Sequence, residues 1–140
     1  MTTIEAREAE IVETFSLADD WEIQTELILE EAGNLAPLDN AYKNETYRIR
    51  GCVSQVWLHA ELRNGLVHFE ADSDSQLTKG LIALLVRVLN DQPPQAIVQA
   101  QLTFMEKIGL KSLLTSQRQG GLAAMVKQMK LYAVGFSTML

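Results

Sequence analysis

The sequence predicts an α+β fold. A small antiparallel β-sheet, read as a β-meander, carries helices packed on one face, with an N-terminal helix pair before it and C-terminal helices after it. Three observations lead there. Two alternating apolar runs flank Asn64-Gly65 in VWLHAELRNGLVHFEA, helical periodicity precedes that stretch, and helical periodicity follows it. Strands that are grouped together and paired consecutively, with helices on either side, characterise this class. The chain has 140 residues, 47% hydrophobic and 21% charged, which suits one domain spanning residues 1–140 with a core of its own.

Each element has a local cause. Thr2 with Glu5 has the spacing of a capping box, and Ile11, Val12, Phe15 and Ala18 then share one helical face. Asp19 with Glu22 is a weaker form of the same signal before a second helix. The apolar face of that helix holds Trp21, Thr25, Ile28, Leu29 and Ala32, and Gly33 is its expected stop. From Asn34 to Gly51 no period is visible, which predicts a surface connection of a length uncommon without a functional reason. Within it, Thr46 to Ile49 is the candidate third strand, because a lone hairpin is too small to be stable.

Asn64-Gly65 predicts a two-residue type I′ turn. The register then sets Leu62 opposite Val67, Ala60 opposite Phe69 and Leu58 opposite Ala71, a core face that Val56 joins. Glu61 opposite His68 and His59 opposite Glu70 make the outer face. Asp72, Ser73, Asp74 and Ser75 are N-cap candidates for a central buried helix through Leu77, Leu81, Leu84, Leu85 and Val88. Gly80 inside that helix costs about 1 kcal/mol relative to alanine, so it predicts a close backbone contact. The run NDQPP ends the helix. Short helices are expected around Gln95 to Gln99 and Thr103 to Ile108, the latter closed by Gly109. A last helix starts near Ser116, with Leu122, Met125, Val126, Met129 and Tyr132 on one side.

Composition removes several function classes. A net charge of −6 opposes nucleic-acid binding, which needs a basic face. The N-terminus lacks the basic start and apolar core of a secretory signal. The most apolar run, GLIALLVRVL, contains an arginine and falls short of the roughly 20 residues that span a bilayer. A soluble, cytoplasmic protein without membrane association is expected. One cysteine forbids an internal disulfide and any cysteine-rich zinc or iron–sulfur site. The chemistry must come from one thiol, from carboxylates, or from neither, and no resident metal or cofactor is expected.

That thiol is Cys52, in RGCVSQVWL. Free cysteines often act as small buried hydrophobes. Cys52, however, follows Gly51 at a loop-to-strand junction, where a bend can project a side chain at a tip. Arg48 and Arg50 lie just upstream, and nearby cations lower a thiol pKa. On the residues alone, packing and reactivity are evenly matched. His59 and His68 are poor partners for a Cys–His nucleophile, because the register puts both on the outer face beside carboxylates. Capping accounts for Asp72 and Asp74, whose spacing is a weak calcium signal. Trp21 and Trp57 read as packing residues.

The stretch Gly51-Cys52-Val53-Ser54-Gln55-Val56-Trp57 resembles the GCxSQVW signature of the SufE family of sulfur-acceptor proteins. The likeness continues through Asp72-Ser73-Asp74, Lys79-Gly80-Leu81-Ile82-Ala83, Leu114-Thr115, Arg118 and Gly121-Leu122. The resemblance implies that Cys52 accepts sulfane sulfur from the persulfide of a PLP-dependent, SufS-like cysteine desulfurase, stimulates that enzyme, and passes the sulfur to an iron–sulfur scaffold complex. PLP would belong to the partner, and the chain itself would be an accessory protein and not an enzyme. Gly51, Gln55, Asp74 and Arg118 would support the loop or contact the partner, a simple salt bridge being the plainer role for Arg118. The expected resting state has the loop tip folded back, with Cys52 in an apolar recess near the helices. The competing readings are a sister-branch acceptor serving another desulfurase, a cluster scaffold, which one cysteine cannot build, and an interaction module in which Cys52 merely packs.

Overall fold

A computed structural model of the chain describes residues 2–110 and 113–140. The hairpin organises it. Strands β1 (Val56–Arg63) and β2 (Leu66–Ser73) pair antiparallel. Asn64 at φ 52° and Gly65 at φ 80° supply the two left-handed residues of the type I′ turn. Every expected pair is in register, from Leu62 opposite Val67 to Leu58 opposite Ala71, with His59 opposite Glu70 on the other face. Val56, Leu58, Val67, Phe69 and Ala71 are buried, as the alternation requires.

Helix α3 (Gln76–Leu89) packs on β2 and is buried along most of its length. Of the four cap candidates, Ser75 performs the role, its hydroxyl accepting the Thr78 N–H. Helices α1 (Ile4–Ser16) and α2 (Trp21–Asn34) lie on α3. Arg87 ties the three together, reaching Glu10 at 2.6 Å and Glu31 at 2.7 Å. Gly80 explains the closeness of α2: a Cβ there would lie 2.1 Å from the Ile28 carbonyl oxygen.

Several boundaries differ from expectation. Thr3, not Thr2, caps α1, and Asp20, not Asp19, caps α2. Gly33 does not stop α2. The helix runs on to Asn34, and Leu35 turns extended ahead of Pro37. The buried stripe of α2 is also narrower than its apolar pattern. With Ile28 against Gly80, Ile28 and Ala32 face inward, and Leu29, about 100° further round the helix, points out. Trp21, in the first turn, is 58% exposed.

The β-meander is a correction as well. Among the described residues the sheet has two strands. Residues 46–49 contribute only an isolated bridge, Arg48 to Trp57, with Ile49 N–H donating to the Val56 carbonyl at 2.8 Å and Leu58 N–H to the Tyr47 carbonyl at 2.9 Å. Pairing cannot extend, because an Asn44 turn bonded to the Thr46 N–H ends it on one side and Gly51, at φ 89°, ends it on the other.

Past α3 come α4 (Pro94–Gln99) and α5 (Phe104–Lys107), with Gly109 left-handed just after them. Helix α6 (Ser116–Ser137) is capped by the Thr115 hydroxyl, which accepts the Arg118 N–H. It buries Gly121, Met125, Met129 and Ala133, with Leu122, Val126 and Tyr132 partly buried beside them, and it packs on α4, α3 and β1. No described helix is long and apolar enough to cross a membrane.

Candidate functional site

Cys52 sits on a short loop fastened at both ends. Upstream, the Ile49–Val56 hydrogen bond closes it. Downstream, Gln55 N–H donates to Asp74 Oδ1 at 2.9 Å and Asp74 N–H returns a bond to the Gln55 carbonyl at 3.2 Å. Asp74 is thus a clamp for the loop rather than a helix cap, because Ser75 already fills the capping position. Gly51 supplies the bend, and Val53 at the tip is 73% exposed.

The thiol turns inward. Cys52 Sγ lies 3.6 Å from the Gly121 carbonyl oxygen, which can accept its S–H. A Cβ on Gly121 would stand 3.1 Å from that sulfur, so the glycine lets the thiol lie this close to α6 without being pushed outward. Around it is a recess of about 410 Å³ whose walls include the apolar Val56, Leu81, Ile82, Leu122 and Met125 and the polar Ser54, Thr78, Thr115, Gln117 and Arg118. The expected recess near the helices is present, but its walls are mixed in polarity rather than apolar throughout.

Burial pushes the Cys52 thiol above its ordinary pKa, and the opposing charge of Arg48 does not offset it. Of the two upstream arginines, Arg48 does lower the pKa as expected, but burial outweighs it. Both are engaged by Glu45, at 3.2 Å from Arg48 and 2.9 Å from Arg50. Hydrogen bonding from Arg48 heads the causes that hold Glu45 below the usual carboxylate range. At rest Cys52 is a partly buried free thiol turned towards α6.

Of the residues expected to support Cys52, Gly51, Gln55 and Asp74 build its loop, and Arg118 lines its recess. Arg118 donates to the Leu113 carbonyl at 3.0 Å, and no described carboxylate pairs with it. The histidines stay away. His59 bonds Glu70 and stacks on Tyr42, while His68 bonds Asp91. Neither lines the recess, so no Cys–His pair exists there. Asp72 is a salt-bridge hub, 3.0 Å from Lys43 and 3.2 Å from Lys79, and not a cap or metal ligand. Among the described lining residues Cys52 alone offers a typical metal-ligand atom, which is too few to hold a metal.

Sequence reading misses the walls of the recess. It places Gly121, Leu81, Ile82 and Met125 on helices, and only the fold shows that they meet the thiol. The one available signal is Gly120-Gly121 inside a helical pattern, where glycine is costly without a packing reason.

A family model described as an Fe-S metabolism associated domain, SufE, matches residues 9–133. The chain belongs to the SufE family. A SufE-like protein of Synechocystis sp. is 38% identical over 128 residues, covering 91% of this chain and 80% of that protein. One of Rhizobium meliloti is 31% identical over 131 residues, covering 90% and 94%. A chloroplastic/mitochondrial SufE-like protein of Arabidopsis thaliana is 41% identical over 128 residues, 89% of this chain but only 34% of that longer protein. The solution structure of a hypothetical protein from Thermus thermophilus shares the fold, with a TM-score of 0.78 over 94% of this chain and 96% of that one at 22% identity. As a SufE-family member, the chain is a sulfur-transfer partner of a cysteine desulfurase in iron–sulfur metabolism at the family level.

Proposed function

We propose that this SufE-family chain is a persulfide carrier that takes sulfur onto Cys52 and hands it to an iron–sulfur scaffold complex in the cytoplasm. The observation that carries this reading is a single thiol on a fastened loop, turned into a partly apolar recess where burial raises its pKa. The Cys52 thiolate, formed when the loop leaves the recess, attacks the terminal sulfur of the desulfurase persulfide. A new S–S bond forms to Cys52 Sγ, the partner's S–S bond breaks, and the partner cysteine departs as thiolate. Electrons balance without an added oxidant, and PLP stays on the partner. Clearing the partner's persulfide is what stimulates it. A lone cysteine suits the task, because a second would divert the persulfide into a disulfide.

The test is intact mass after incubation with a SufS-like cysteine desulfurase and cysteine. The wild-type chain gains sulfur that reduction removes, and Cys52→Ser gains none. An unchanged wild-type mass, with both forms stimulating the desulfurase equally, overturns the proposal in favour of an interaction module.

A further inference from the structure

The outer face of the hairpin carries a second constellation, independent of the Cys52 reading. His59 and Glu61 stand two apart on β1, on one side of the sheet, and Glu70 lies directly across from His59 on β2. One ligand atom from each falls within 4.8 Å of the others, and all three side chains are partly buried. We propose that His59, Glu61 and Glu70 form a binding site for a borderline divalent cation of the zinc class.

Geometry favours such an ion. His59 Nδ1 and Glu70 Oε1 are 3.2 Å apart. Two ligands on tetrahedral zinc, each bound at roughly 2.0–2.1 Å, sit about 3.3 Å from one another. A cation can therefore be seated between those two atoms with little movement of either side chain. The imidazole is already oriented, since its ring stacks on Tyr42 at 3.8 Å and 10° and meets Tyr47 edge-on. Orientation of a histidine ligand in advance raises metal affinity.

Electrostatics points the same way. Two carboxylates crowd one imidazole here, and Arg63 offsets only Glu61, through a contact between partly exposed side chains. An exposed pair of that kind exchanges at small cost, whereas a dication relieves the repulsion between both carboxylates. One imidazole and two carboxylates leave a fourth tetrahedral position for water and suit nitrogen- and oxygen-loving ions rather than thiophilic ones. His68, on the same face, is engaged by Asp91 at 3.0 Å and stands outside the ligand set.

Zinc titration by calorimetry on the full chain carrying Cys52→Ser, which removes the competing thiol, tests the site. One equivalent binds with micromolar affinity and raises the thermal midpoint. His59→Ala and Glu70→Gln each weaken binding at least about tenfold, while His68→Ala leaves it unchanged. Glu70→Gln keeps size and packing, so its loss of binding is separable from unfolding, which far-ultraviolet circular dichroism monitors. No saturable binding, equal affinity in Glu70→Gln, or loss only in His68→Ala overturns the proposal.

Discussion

At Cys52 burial raises the thiol pKa, and Gly121 limits how far the side chain can retreat. Replacing Gly121 by alanine puts a methyl group 3.1 Å from the sulfur, so the thiol must shift outward. The helix itself gains about 1 kcal/mol of propensity, which keeps the fold intact. Gly121→Ala is expected to hold or raise the thermal midpoint while iodoacetamide alkylation at pH 8 speeds up several-fold. Its alkylation midpoint moves down in pH towards that of a free cysteine, because burial is what raises the wild-type pKa. Identical alkylation profiles for the two forms refute this account of the recess. In the sequence Cys52 stands out through its motif and its solitude, but its contact with Gly121 spans 69 residues and no local pattern encodes it. The arginine reading is incomplete for a related reason: the proximity of Arg48 is legible and does lower the pKa, while the burial that outweighs it is not.

Among elements, the hairpin is the most legible, because Asn64-Gly65 fixes the turn and the period-two alternation then fixes every pair. Residues 46–49 read as a strand because stability requirements predict a partner for the hairpin, whereas backbone turns at Asn44 and Gly51 cut that partner to one bridge. The α2–α3 crossing is legible in outline, since a glycine in a buried helix implies an intimate neighbour. Which residue it meets is not. That crossing should be the least tolerant in the molecule. Gly80→Ala drives a methyl group to 2.1 Å from the Ile28 carbonyl oxygen, part of a helix backbone that cannot yield as a side-chain tip can. A loss of about 3 kcal/mol in urea unfolding is expected, against a gain if helix propensity alone governed the site.

Across the whole molecule, Asp72 at the end of β2 joins three segments, pairing with Lys43 from the connection and with Lys79 from α3. Burial by itself would raise its pKa, but hydrogen bonds from Lys43, the Ser73 N–H and Lys79 outweigh that and hold it below the usual range. A depressed carboxylate pKa stabilises the fold above the unfolded value, near 3.9, and that stabilisation is lost as pH falls through the folded value. Asp72→Asn should therefore cost about 1 kcal/mol at pH 7, with the gap to wild type closing as pH falls below about 4 and through the lowered folded value. A gap that stays constant as the pH is lowered assigns the effect to packing instead. Sequence reading places Asp72 at a helix start, because its true partners come from three separate segments.

The two fastenings of the cysteine loop also set a length. Cys52 lies three residues from Ile49 and three from Gln55, both held by backbone hydrogen bonds. An extended chain covers at most about 3.3–3.6 Å per residue, so the sulfur can project only about 10 Å beyond those anchors plus its own side chain. The loop is a gauge of fixed depth, and any partner that exchanges sulfur with it must present its reacting atom within that distance of a surface wide enough to seat β1 and the start of α3.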